Sequence, residues 1–306
     1  MSRILVIGSS NVDLVMHMPR LPEVGETIIN ASFSQTYGGK GANTAVATQR
    51  AGGHVTFVNC VGDDAYTPGM VAMFNAEGMD TRLIHHETGV ASGTAFVMVG
   101  QNGQNYLTVA SGANNRLTPE RIDAIEGDIA TADRVLLQCE IPAETNSRVL
   151  EIAHRHRVPV LLNLAPARPT DLEDLRKLDA LVVNEVEGRF LAKEAGLPVA
   201  SDHELARLLR DHYDCPRVVV TLGDEGAVAA TSGEEISVPA FAVEVVDTVA
   251  AGDTFCGSLA VALTEGQPLA AALRFGCAAA AISVGRKGAS PSCPQRTEIE
   301  AFLAEN

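Results

Sequence analysis

Basic residues are scarce: 23 Lys and Arg stand against 38 Asp and Glu, a formal charge of −15 over 306 residues. A protein that grips duplex nucleic acid needs a basic face to neutralise phosphates, so nucleic acid is not expected as a partner. The same deficit means that any phosphate site must be assembled locally, from helix N-termini, a few cationic side chains and a metal. Paired cysteines are missing too. Cys60, Cys139, Cys215, Cys256, Cys277 and Cys293 are scattered, with no C-x-x-C and no zinc spacing to His, which reads as buried reduced thiols in a cytoplasmic protein. Long hydrophobic runs are also absent. The uncharged stretches near 254–264 and 275–285 are of core-helix length, and Ile4–Ile7 is too short for a signal peptide, so no membrane contact is expected.

Several ligand fingerprints are lacking as well: there is no G-x-x-x-x-G-K-[ST], no G-x-G-x-x-G and no H-E-x-x-H. That excludes a P-loop kinase and a zincin, and it counts against a dinucleotide-dependent sugar oxidoreductase. The pair His85-His86 sits in a hydrophilic stretch and is expected to be an exposed loop rather than a metal site.

What is present is an ordinary globular balance, 46% hydrophobic and 20% charged. The apolar runs Ile4–Ile7, Val55–Asn59, Val135–Leu137, Val158–Asn163, Ala180–Val183 and Val218–Thr221 alternate with helical patterns. The helical patterns fall near 41–52, 66–78, 142–156, 185–195 and 202–212. Runs without polar alternation suit strands covered on both faces, so the expected fold is α/β, a large mostly parallel sheet flanked by helices. Segments at about 12–37 and 90–110 instead alternate and are punctuated by glycine, with a hairpin turn at Gln101-Asn102-Gly103. They predict a small β-sheet lid on a single folding unit spanning 1–306. Residues 226–246 read as short strands, followed by alanine-rich helices at about 252–265 and 268–284.

Two glycine-rich segments carry the chemistry. Gly38-Gly39-Lys40-Gly41-Ala42-Asn43 opens an amphipathic helix, where glycines allow close approach of backbone to ligand and Asn43 suits hydroxyl recognition. Val246-Asp247-Thr248-Val249-Ala250-Ala251-Gly252-Asp253 leads into a long apolar helix. Free N–H groups of Ala251, Gly252 and Asp253 at its positive end would form an anion hole for a transferring phosphoryl group. Asp253 itself either caps that helix or accepts a hydroxyl proton.

Together, in this order, these segments resemble the two signatures of the ribokinase (PfkB) family of sugar kinases. The opening Gly8-Ser9-Ser10-Asn11-Val12-Asp13 is similar to its ribokinase branch, and the resemblance runs from Ile4 to about Pro294. It implies the sheet-and-lid fold, a lid that also clasps a homodimer, and ATP-dependent phosphorylation of a small sugar, D-ribose at its 5-hydroxyl first. Another pentose, 2-deoxyribose, a ketohexose or a nucleoside are alternatives, and a non-catalytic sugar-binding protein is a more distant one. By resemblance, Asn11, Asp13, Gly39, Lys40, Asn43 and Glu140 bind the sugar, with Asp253 as base and Gly252 and Ala251 at the γ-phosphoryl. Asn184, Thr221, Gly223, Gly226, Gly252 and Cys277 match the ATP site, and Glu187 the Mg²⁺ region. Asp247, Val249 through its carbonyl, Ser283, Arg286, Gly288 and Ser292 match a site for an activating K⁺. On the residues alone, Asp13 also reads as a turn residue, Glu140 as a helix N-terminal acid and Lys40 as a solvated charge. The chain departs from the family pattern at Thr44, Leu164, Val183, Cys277, Gly285 and Ser290.

Overall fold

The unbroken Val/Ile/Leu runs become the interior strands of a nine-stranded sheet in a computed structural model that describes residues 2–101, 104–170 and 172–306. The amino-terminal part runs β1 (Arg3–Ile7), β2 (Asn11–Met18), β3 (Ser32–Gly38), α1 (Lys40–Arg50), β4 (His54–Val61), α2 (Thr67–Ala76) and β5 (Ile84–His86). Next come β6 (Gly93–Gly100), β7 (Asn105–Ala110), α3 (Pro119–Asp123), α4 (Glu126–Thr131), β8 (Arg134–Leu137), α5 (Ala143–His156) and β9 (Val160–Asn163). The chain continues through α6 (Leu172–Arg176), β10 (Ala180–Asn184), α7 (Glu185–Glu194), α8 (Leu205–Tyr213), β11 (Arg217–Thr221), β12 (Ala227–Thr231) and β13 (Glu235–Val238). It closes with α9 (Ala251–Thr264), α10 (Leu269–Val284) and α11 (Arg296–Glu305).

Strand order in the large sheet is β13-β12-β11-β10-β9-β8-β1-β4-β5, parallel except at the β12 and β13 edge. The chain builds out from β1 to β4 and β5 on one side and only later adds β8 on the other. That reversal opens a crevice at the carboxyl ends of the strands, where ligands bind in sheets of this kind. Alternate residues of each strand feed two cores. Val6, Leu136, Leu161, Val182 and Val219 pack with α1, α9 and α10, while Ile7, Leu137, Leu162, Val183 and Val220 pack on the other face. Each such fully buried side chain contributes about 1.5–3 kcal/mol of transfer free energy.

The small sheet has order β3-β2-β6-β7 and draws on both segments expected to form the lid. The turn expected at Asn102-Gly103 lies outside the described residues. Other expectations need correction. Strand pairing stops at Val238, and residues 239–246 run without a strand, because Pro239 cannot extend the edge ladder. His85 and His86 belong to β5 rather than a loop, through parallel pairing with Cys60 and Val61, and His85 is half-buried. Finally, α1 is not amphipathic in place: Gly41 through Thr48 are all buried, since α9 covers the side turned away from the sheet.

Candidate active site in the strand-end crevice

β1 passes into β2 through Gly8, Ser9 and Ser10 alone, so the chain changes sheets at the crevice. Buried amides hold this short crossing. Asn59 Nδ2 donates to the Gly8 carbonyl at 2.8 Å, and Ser10 N donates to Asn114 Oδ1 at 3.0 Å. Asn114 Nδ2 donates in turn to Asn11 Oδ1 at 2.9 Å, which leaves the Asn11 Nδ2 group for a ligand. Two residues on, Asp13 lies over Gly38, where a Cβ would sit 2.3 Å from its Oδ2. Burial, reinforced by the charge of Glu140, pushes the Asp13 carboxyl up to about 7.

Glu140 lies beyond β8 and outside α5, whose N-cap is Pro142. Its Oε2 accepts from Ser9 Oγ at 2.6 Å and from the Lys40 backbone N–H at 3.0 Å. One carboxylate oxygen thus ties the β1–β2 crossing to the start of α1. Gly39 is the N-cap of α1 with φ 92°, a conformation that side chains disfavour. The Lys40 ammonium is held up in pKa chiefly by Asp253, with Glu140 and Glu187 adding to it.

Asp253 is the third residue of α9 rather than its cap; Ala250 is the N-cap, left-handed at φ 61°. No side chain caps this helix. The Ala251 N–H turns back to the Thr248 carbonyl at 3.3 Å, so it is not the free donor expected from the sequence. Among the described residues the Gly252 and Asp253 N–H groups have no backbone acceptor, and they form the positive mouth of α9. Asp253 is 4% exposed, and its carboxylate is met from both sides. Asn43 Nδ2 donates to its Oδ2 at 3.2 Å, and Asn163 Nδ2 to its Oδ1 at 3.5 Å. Burial pushes the carboxyl up, against the pull of Lys40 and Asn43.

Two cavities meet at this helix. An apolar chamber of about 580 Å³ lies between Phe241, Val243, Phe255, Cys277 and Ala281, with Thr221, Gly223 and Gly226 on its rim. A polar recess of about 180 Å³ holds Lys40, Asn163, Asn184, Glu187 and Asp253. Thr221, Thr248, Ala251 and Gly252 line both, so an apolar group in the chamber can carry an anionic tail into the recess. Asn184 caps α7 through a reciprocal box: its Oδ1 accepts from Glu187 N at 2.8 Å and its N–H donates to Glu187 Oε2 at 2.9 Å. Burial raises the Glu187 pKa.

Beside the mouth of α9, Asp247 accepts from the N–H groups of Val249 at 3.0 Å and Gly288 at 2.9 Å. Ser283 and Ser292 face each other at 2.7 Å between their hydroxyl oxygens. The Arg286 guanidinium turns outward to Glu298 at 2.6 Å, so only the backbone of Arg286 remains for a cation.

The pfkB family carbohydrate kinase model matches residues 1–296. The chain belongs to that family. A ribokinase of Bacillus subtilis is 39% identical over 99% of this chain and 100% of its own. A deoxyribokinase of Salmonella typhi is 34% identical over 99% of both chains. Among solved structures, the Arabidopsis thaliana ribokinase complexed with ribose and ATP superposes with a TM-score of 0.91 at 33% identity, covering 99% of each chain.

In this pfkB-family chain the crevice gathers Asn11, Asp13, Gly39, Lys40, Asn43, Glu140, Asn184, Glu187, Gly252 and Asp253 around two strand ends and three helix starts. Sequence reasoning missed the groups behind them: Ser9, Asn59, Asn114, Asn163 and Ser290, whose Oγ donates to Asn43 Oδ1 at 2.8 Å. For Asn163 a faint signal existed, a polar residue closing an apolar strand. Ser290 stood out only as a departure from the family pattern.

Proposed function

We propose that the protein is an ATP-dependent sugar kinase that phosphorylates D-ribose at its 5-hydroxyl, giving ribose 5-phosphate and ADP. The observation that carries this reading is the continuity of the apolar chamber, the polar recess and the Asn43–Asp253 pair. The nucleoside occupies the chamber and its phosphates lie in the recess beneath Gly252. Asp253 accepts the 5-hydroxyl proton as that oxygen attacks the γ-phosphorus and the bond to the β-phosphate oxygen breaks, releasing ADP. Asn11, Asp13, Gly39, Lys40, Asn43 and Glu140 hold the remaining hydroxyls, with the Lys40 ammonium near the developing charge.

The donor set suits two ions. Mg²⁺ is usually held by one or two carboxylates, waters and substrate phosphates. Glu187 and Asn184 would hold it on the recess wall, and bound there it would neutralise phosphate charge. Asp247, with carbonyls near Val249 and Gly288 and the Ser283–Ser292 hydroxyls, offers hard oxygens for K⁺ beside the anion hole. The whole chain acts as one unit with a lid. Its lid face turned away from Asp13 exposes Met16, Phe33 and Phe96, an apolar patch that suits a homodimer clasp. No helix among the described residues is long and apolar enough to cross a membrane.

The test is ADP release from Mg-ATP across pentoses, hexoses and nucleosides, in K⁺ and then Na⁺. Turnover selective for ribose supports the reading. Selectivity for 2-deoxyribose or a nucleoside would replace the acceptor, and no turnover by folded protein would remove the activity. Asp13 makes a separate prediction. Sugar hydroxyls donating to it favour its charged form, whereas in the ligand-free site it takes up a proton below about 7. Ribose affinity, measured by calorimetry, therefore weakens as pH falls through 7 and levels off above it, and Asp13→Asn flattens that dependence.

A further inference from the structure

The floor beneath Asp253 is polar where the sheet should be apolar. On the face turned to α1 and α9, β1, β8 and β9 contribute Val6, Leu136 and Leu161 to the core. One step towards the crevice the same face changes character. Ile7 pairs with Leu137 and Leu137 with Leu162, so Gly8, Gln138 and Asn163 form the next row. Gly8 makes room for an amide: a Cβ there would lie 2.0 Å from Gln138 Oε1. Gln138 is 1% exposed, and neither terminal atom of its side chain has a partner. Asn163, 6% exposed, donates to Asp253 Oδ1 and also lines the polar recess.

We propose that Asn163 is a positioning residue for phosphoryl transfer: with Asn43 on the opposite oxygen, it clamps the Asp253 carboxylate so that it cannot rotate away from the incoming hydroxyl. The two grips differ in kind. Asn43 is held by Ser290 and reaches Asp253 from the first turn of α1. Asn163 stands at the end of an interior strand and provides the fixed reference. Tightened on a bound hydroxyl, its donated hydrogen bond would favour the charged form of the base. The other ionisable groups facing Asp253 are Lys40 from α1, Glu140 beyond β8, Glu187 on α7, Cys256 on α9 itself and Cys293 before α11, and none changes when Asn163 is replaced.

The inference rests on Asp253 as the base, and the experiment separates the two. Asn163→Leu keeps the volume and removes the donor, and Asn163→Asp keeps the shape while adding a like charge. Steady-state kinetics over pH are measured for both variants beside the parent and Asp253→Asn. Asn163→Leu lowers kcat by roughly 10- to 100-fold with KM for Mg-ATP and ribose unchanged, and its acidic limb of kcat moves to higher pH. In Asn163→Asp that limb moves further, so activity recovers as pH rises. Parental kcat and an unmoved limb in either folded variant overturn the proposal. A lower kcat with an unmoved limb, or a raised KM for Mg-ATP, also overturns it, by assigning Asn163 to scaffold or phosphate contact. Near-parental turnover in Asp253→Asn instead overturns the reading of the base.

Discussion

Asp253→Asn lowers kcat by roughly 10²–10⁴-fold while leaving ATP affinity nearly unchanged. The substitution is isosteric, and the carboxamide still fits between Asn43 and Asn163. What disappears is a basic oxygen where the mouth of α9, the polar recess and the first turn of α1 meet. The Gly252 N–H and the recess residues that would bind phosphate are untouched, so binding of the nucleotide persists. Stopped-time ADP assays with ribose, paired with nucleotide titration of the same protein, check both halves. A variant with ordinary turnover would take Asp253 out of proton transfer and leave it as a first-turn acid of α9.

Gly41→Ala has the second large effect, and it acts through the backbone. A Cβ on Gly41 would lie 2.4 Å from Ser9 N, 2.5 Å from Ser9 O and 2.6 Å from the Gly8 carbonyl carbon. None of these is a flexible side chain that can step aside. The same contact carries Ala42 N donating to the Ser9 carbonyl at 2.8 Å and Gly41 N donating to Ser9 Oγ at 3.2 Å. One methyl must therefore push α1 off the β1–β2 crossing and break these bonds. Overpacking of this kind costs about 1–3 kcal/mol, and lost alignment of the Asn43 and Glu140 sides raises KM for ribose by roughly tenfold or more. Thermal melts and sugar titrations read the two effects, and near-parental values in both would show that the crossing yields without harm.

Much of the architecture was legible because its physical cause is local. Unbroken apolar runs such as Val218–Thr221 need cover on both faces, and the two cores supply it. Alternation at Val12–Met18 marks a sheet with one solvated side, and β2 lies in the small four-stranded sheet. Where structure depends on distant pairing, the sequence was silent. β5 exists only because Ile84–His86 finds Asn59–Val61, and α1 is buried all round only because α9, from the far end of the chain, lies on it. The candidate site divides in the same way. Residues of the two glycine-rich segments could be singled out from their spacing, whereas Asn163 meets Asp253 across 90 residues and Asn114 meets Asn11 across 103. Even near a motif, backbone detail stayed hidden: nothing in Thr248–Ala251 announces that the Ala251 N–H folds back on Thr248.

The three-residue crossing from β1 to β2 divides the crevice between two bodies. Asn11 and Asp13 ride on the small sheet, while Asn43, Glu140 and Asp253 are rooted in the large one. If the small sheet pivots on its connections to the large one, Asn11 and Asp13 draw away from Asn43, Glu140 and Asp253, while the apolar chamber, to which no described residue of the small sheet contributes, keeps its shape. Under the proposed function the acceptor is the part that spans the gap, so it would work as a latch. Under that reading water, small enough to reach the base but unable to bridge both bodies, would leave the latch open and be a poor phosphoryl acceptor.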